Sequence, residues 1–167
     1  APTGITLDPT SPLHDPAVID KVVSFYLEAP GRWDYVSNVL PPTYPDGLDT
    51  ELFAFPALDE ANRDAKNPFE LEHVTPGIRN TAREKGRMAN VSAPADFSHL
   101  RWTLDEPEDY DLIRQVLDGF EETGRDFGWL DVVAWMTQDP RRFNINANHK
   151  RNEGSPASGS LRNQEGQ

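Results

Sequence analysis

Leu100-Arg-Trp-Thr-Leu-Asp-Glu-Pro-Glu-Asp109 is an apolar, strand-like run that breaks into a carboxylate cluster around a proline placed to open a helix. A strand feeding a helix at Pro107 puts Asp105 at a strand's carboxyl end, where open α/β sheets bind ligands. Asp105, Glu106, Glu108 and Asp109 fall within five residues. Such charges repel one another unless a cation or a helix amino terminus absorbs them. A divalent metal is one such cation. An ordinary acidic helix start is the plainer explanation, because an acid ahead of a proline at the first helical position is a common start signal. The stretch alone favours the plainer explanation; its neighbours shift the balance.

Downstream, the helix opened by Pro107 shows Leu112, Ile113, Val116, Leu117 and Phe120 on one face, with its acids crowded into the first turn. Gly124 and Gly128 bracket a loop, and Trp129 to Gln138 forms a further helix with Leu130, Val133, Trp135 and Met136 turned inward. From Asn144 the periodicity fades, so residues 144–167 are expected to be a poorly ordered tail. Upstream, Ile5 to Leu7 reads as the end of a buried strand. Asp15 and Pro16 cap and open a helix on which Val18, Ile19, Val22, Val23, Tyr26 and Leu27 recur at helical spacing, with Gly31 as its stop. Trp33 to Asn38 and Glu51 to Phe55 read as strands. Pro56 to Lys66 and Phe69 to Asn80 read as helices broken at Asn67-Pro68, and Arg87 to Val91 and His99 to Leu104 as two more strands. This alternation predicts an α/β fold, a mixed sheet flanked by helices.

The chain has 167 residues and 37% apolar content, enough for one domain with a real core. Sixteen basic against 28 acidic residues leave a net charge of −12, which argues against a nucleic-acid or anionic-membrane partner. A phosphorylated substrate would then need a metal, or basic groups from elsewhere. The absence of cysteine excludes disulfides, thiolate nucleophiles and cysteine metal sites. The amino terminus has no signal-peptide pattern and no apolar run reaches membrane-spanning length, so a cytoplasmic protein is expected.

In the loop Thr43-Tyr-Pro-Asp-Gly-Leu-Asp-Thr-Glu51, Asp46-Gly47 makes a turn. Asp49 and Glu51 project to one side if the chain is extended there, as acceptors for a ligand rich in hydroxyl or amino groups. The same acids could simply keep a common turn soluble. Glu72 and His73 are adjacent and point about 100° apart on a helix, so they would not form a mutual acid–base pair. A structural, hydrogen-bonded role competes for His73, and His14, His99 and His149 show no zinc spacing. Ser11 lacks a nucleophile elbow; Thr10 and Ser11 fit better as hydroxyl and backbone groups lining a pocket at the strand end. Neither a P-loop nor a dinucleotide fingerprint occurs.

Several of these segments together resemble one family. Leu7-Asp-Pro-Thr-Ser-Pro-Leu13 resembles the strand-end loop of acylneuraminate cytidylyltransferases, with Asp8 where that family has glutamine. Asp34-Tyr-Val-Ser-Asn38, Tyr44-Pro-Asp-Gly-Leu-Asp49, Glu72-His-Val-Thr-Pro76, Leu100 to Asp109 and Arg151-Asn-Glu-Gly154 resemble, in this order, the spore-coat polysaccharide branch of the same superfamily. The resemblance implies a Rossmann-like fold of nucleotide-diphospho-sugar transferase type. It also implies transfer of CMP from CTP to a sugar, usually an acidic one, for cell-surface polysaccharide or glycoconjugate synthesis, with Mg²⁺ as cofactor.

The resemblance makes Asp105 the catalytic, metal-binding aspartate. Some relatives carry a second such aspartate where this chain has Thr10, and Asp8 is its substitute here. Asp46, Asp49, Glu51 and His73 become the sugar side, and Thr10 and Ser11 the pocket floor. Residues 1–143 are then expected to be the carboxyl-terminal, sugar- and metal-binding portion of such a domain. The family's glycine- and basic-rich triphosphate loop has no counterpart in this sequence. The expected partners are CTP, a sugar, and either a second copy or a complementary amino-terminal chain. The alternative is a non-catalytic relative kept for assembly.

Overall fold

Alternation along two short central strands divides the core between the faces of a sheet. The computed structural model describes residues 2–65 and 74–151. Its sheet holds β1 (Thr3–Leu7), β2 (Tyr35–Ser37), β3 (Thr50–Ala54) and β4 (Met88–Asn90) in the order β1-β3-β2-β4. β3 runs antiparallel to both neighbours, and β2 and β4 are parallel. Tyr35 lies opposite Phe53, and the next pair, Val36 and Leu52, points to the other face. Tyr35 and Phe53 pack with Ala57, Ile78 and Ala82 beneath α2 (Phe55–Asp64) and α3 (Val74–Glu84). Val36 and Leu52 pack with Val22, Tyr26 and Val91 beneath α1 (Pro16–Leu27). The expected mixed sheet flanked by helices is therefore observed.

A separate cluster builds the end of the molecule that holds the site. Val18 and Leu13 meet Leu112, Ile113 and Val116 of α4 (Pro107–Glu121) and Val132 and Met136 of α5 (Trp129–Gln138) around fully buried Trp102. Asp15 ties two helices here: its carboxylate accepts from the Ala17 amide as the α1 cap and from the Trp129 amide at the start of α5. A short 3₁₀ turn follows at Pro140–Asn144.

Four local expectations change. His99 to Leu104 is not a ladder strand; its pairing is one bridge between Arg101 and Asp46, because its partner is a tight turn that offers a single residue to pair with. Ile5 and Leu7 are not buried: among the described residues β1 has a neighbour on one side only. Leu117 and Leu130 face outward, because α4 and α5 bury narrower stripes than their apolar content allows. The loosely held tail does not begin at Asn144: Asn146 is buried and bonded. Residues 152–167 lie outside the described residues.

Candidate functional site

The turn at Pro45-Asp46-Gly47 is pinned to the Leu100–Thr103 segment by two backbone bonds, Asp46 N to Leu100 O at 2.9 Å and Trp102 N to Asp46 O at 2.7 Å. Gly47 has φ +101°, and a Cβ there would stand 2.7 Å from the Trp102 carbonyl oxygen. Only glycine allows so close an approach. A third bond, Leu104 N to Thr10 O at 2.8 Å, brings in the loop that follows β1. Three segments distant in sequence thus meet beside the amino terminus of α4.

Arg101 stands at the centre of the charges gathered there. Its guanidinium forks onto Asp109, with Nε to Oδ1 at 3.0 Å and Nη2 to Oδ2 at 2.9 Å. It also reaches Asp105 Oδ2 at 3.0 Å and Asp46 Oδ2 at 3.7 Å. The cation that absorbs the acidic run is therefore a side chain of the same run. Asp109, fully buried, further accepts from Asn146 Nδ2 at 2.8 Å and from the amides of Asp105 and Glu106 at 3.2 and 3.1 Å. Burial pushes its carboxyl up, but the bonds from Arg101, Asn146 and the two amides outweigh that and hold it below the usual carboxylate range.

Asp46 and Asp49 are served less well. Arg151 bonds Asp49, lies with its Nε 3.6 Å from Asp46 Oδ1 and donates to Tyr44 O at 3.3 Å. Burial pushes the Asp46 carboxyl to about 6; Arg151 and Arg101 pull it down, while Asp49 and Asp105 add to the rise. Burial raises Asp49 as well, against the pull of Arg151, with Asp8 raising it and His14 lowering it. The site is a chain of carboxylates, Asp8, Asp49, Asp46 and Asp105, threaded by two guanidinium groups.

Of the residues expected from the sequence, Asp46, Asp49, Asp105 and Asp8 come together. Asp8 Oδ1 accepts from the amide and hydroxyl of Thr10, both at 2.8 Å. Ser11 is buried, and its hydroxyl has no hydrogen-bond partner. Glu51 does not join them: it lies on β3 and accepts from the Tyr35 hydroxyl of the neighbouring strand β2. Glu72 and His73 lie outside the described residues. Arg101, Asp109, Asn146, Arg151 and His14 were not read as site residues. Arg101 was detectable, standing four residues before Asp105 and eight before Asp109; Arg151 opens the Arg151-Asn-Glu-Gly154 segment of the resemblance, but nothing local pairs it with Asp49, 102 residues away.

Among the described residues no group of three or more His, Cys, Asp or Glu could hold a metal ion. Magnesium commonly takes one or two carboxylates and completes its shell with water and substrate phosphates. Asp105, about half exposed, fits that sparse contribution and no fuller one.

The chain is similar to the structure of a cytidylyltransferase from Leptospira borgpetersenii serovar Hardjo-bovis, with a TM-score of 0.77 and 24% identity over 89% of this chain and 60% of that one. The fold is cytidylyltransferase-like. An uncharacterized protein of Methanocaldococcus jannaschii is 29% identical over 142 residues, 83% of this chain and 54% of that protein. The chain thus spans about half the length of the curated relative it matches. No family model matches it. Among the described residues no helix is long and apolar enough to cross a membrane.

Proposed function

We propose that this chain is the sugar- and metal-binding portion of a nucleotidyltransferase that transfers CMP from CTP to an acidic sugar. The observation that carries this reading is the convergence of Asp8, Asp46, Asp49 and Asp105 on one end of a cytidylyltransferase-like fold, with Arg101 and Arg151 among them. Asp46 and Asp49 supply acceptors for sugar hydroxyls. Arg151 fixes their orientation and offers a cation to a sugar carboxylate. In the reaction a sugar oxygen bonds to the α-phosphorus, the bond to the bridging oxygen breaks so that pyrophosphate leaves, and the hydroxyl proton passes to water. Positioning and electrostatics supply most of the rate in such a transfer.

Asp105 and Asp8 would hold Mg²⁺, which when bound neutralises charge on the phosphates. So few protein ligands would leave the rest of its shell to water and substrate phosphates. The 167-residue chain alone should therefore bind CTP weakly and turn over little. An NMR titration tests the reading. An acidic sugar should shift the Gly47 and Leu48 amides, and CTP with Mg²⁺ the amides of Leu104 to Glu106. Silence at both places would sink the assignment, and tight CTP binding with pyrophosphate release by this chain alone would sink its partial character.

The exposure of Ile5 and Leu7 on β1, which has one neighbour among the described residues, favours a second reading, a non-catalytic assembly module. Mixing with a complementary segment separates the two, since only the first gains activity.

A further inference from the structure

Arg101 is fixed in place from several directions. Its Nε and Nη2 fork onto fully buried Asp109 at 3.0 and 2.9 Å, its carbonyl oxygen accepts from Asn146 Nδ2 at 2.9 Å, and its side chain is 10% exposed. Asp105 is held by far less. Its carboxylate is 47% exposed and, among the described residues, accepts from Arg101 Nη2 alone, at 3.0 Å. Nη2 carries two hydrogens, so one is spent on Asp109 Oδ2 and the other on Asp105 Oδ2. The fixed member of this pair is the cation, and the member free to move is the carboxylate proposed to take metal.

We infer that Arg101 is a built-in rival of the divalent cation at Asp105, a counter-charge that suppresses metal binding there in the unliganded chain. The inference rests on the proposed metal role of Asp105 and adds its regulation. A donor on a metal-binding carboxylate can act in two opposite ways. It can orient the carboxylate and strengthen binding, or, carrying a full positive charge, it can repel the cation and compete for the same lone pairs. The surroundings of Asp105 favour rivalry. Arg101 cannot retreat, so a metal sharing Asp105 would stand one carboxylate away from a fixed guanidinium. The neighbouring acids do little to offset that charge, because Asp109 lies under the fork and Asp46 is shared between Arg101 at 3.7 Å and Arg151 at 3.6 Å. Among the described residues no group of three or more ligating side chains is at hand to outweigh the repulsion.

Manganese titration of the full 167-residue chain tests this, read by NMR as broadening of the Leu104 to Glu106 amides. Arg101→Gln keeps a donor for Asp105 and removes the charge. It should tighten Mn²⁺ binding at those amides about fivefold or more, and Asp105→Asn in the same background should abolish it. An orienting role predicts an unchanged or weaker site instead. A second measurement needs no substitution and so does not depend on the variant folding. Magnesium titration of the unaltered chain should move the Arg101 guanidinium signals in step with the Asp105 carboxyl, while the Asp109 carboxyl stays still. Equal or weaker Mn²⁺ binding in Arg101→Gln, or Mg²⁺ at Asp105 with the Arg101 signals unmoved, would overturn the rivalry and leave Asp105 a metal ligand. No metal effect at Leu104 to Glu106 in either chain would overturn the rivalry and the proposed metal role together.

Discussion

Asp109 and Asp46 are two buried carboxylates that share one guanidinium and differ in what else reaches them. Asp109 receives a two-pronged fork from Arg101, an amide from Asn146 and two backbone N–H groups, and it is held ionised. Asp46 has Arg101 and Arg151 at 3.7 and 3.6 Å, with Asp49 and Asp105 as like-charged neighbours, and its carboxyl rises to about 6. Burial is common to both; the supply of donors decides the sign. The first carboxylate is spent on architecture, joining the start of α4 to the segment around Asn146. The second keeps acceptor capacity that a ligand could use.

The comparison breaks most visibly at Asp109. Asp109→Ala should cost about 3–5 kcal/mol by leaving Arg101 buried without its main partner, and thermal unfolding should show a fall of about 10 °C or more. A fall of only a degree or two would mean the fork contributes little.

The pH dependence of stability tests the other carboxylate. The folded-state pKa of Asp46, about 6, lies above its usual 3.8, so the folded chain binds the extra proton between those values. Its contribution is fully present below about pH 4 and is lost as pH rises through about 6, with a size of roughly 1–3 kcal/mol. Asp46→Asn should flatten denaturant-derived stability across that window. Asp109 works oppositely, its contribution lost as pH falls below the usual carboxylate range.

Arg151→Ala sharpens the contrast. Removing the cation should raise the Asp46 and Asp49 pKa values further, readable by carboxyl NMR, at a stability cost of about 1 kcal/mol or less. Asp109 should not respond. The smallest stability effect is expected at half-exposed Asp105, where Asp105→Ala should change unfolding by less than about 0.5 kcal/mol. In a complete enzyme the same change should lower turnover about 100-fold or more. Retained turnover would remove Asp105 from the catalytic role.

Much of this was legible residue by residue. Asp15-Pro16 and Glu106-Pro107 mark the starts of α1 and α4, because capping acids and proline at the first helical turn act locally. The Trp129–Gln138 helix was readable to its ends. The inward face of that helix was legible in part: Met136 is buried and Val133 and Trp135 pack against the core as expected, but Leu130 is outside and Val132 is buried, because which apolar residues face the core depends on what packs against them. The run to Leu104 looked like a strand because of its apolar residues, yet a ladder also needs an extended partner.

The sequence by itself determined the α/β alternation, the helix starts, the acidic balance and the carboxylates from which a site could be made. Those follow from spacing and side-chain chemistry within a few residues. Tertiary structure alone decided that Arg101 and Arg151 thread those carboxylates, that Glu51 pairs with Tyr35, and that Ile5 and Leu7 are exposed. Charge pairing and burial act across space, between residues as far apart in the chain as Asp49 and Arg151. Local patterning carries no record of which distant segment arrives beside it.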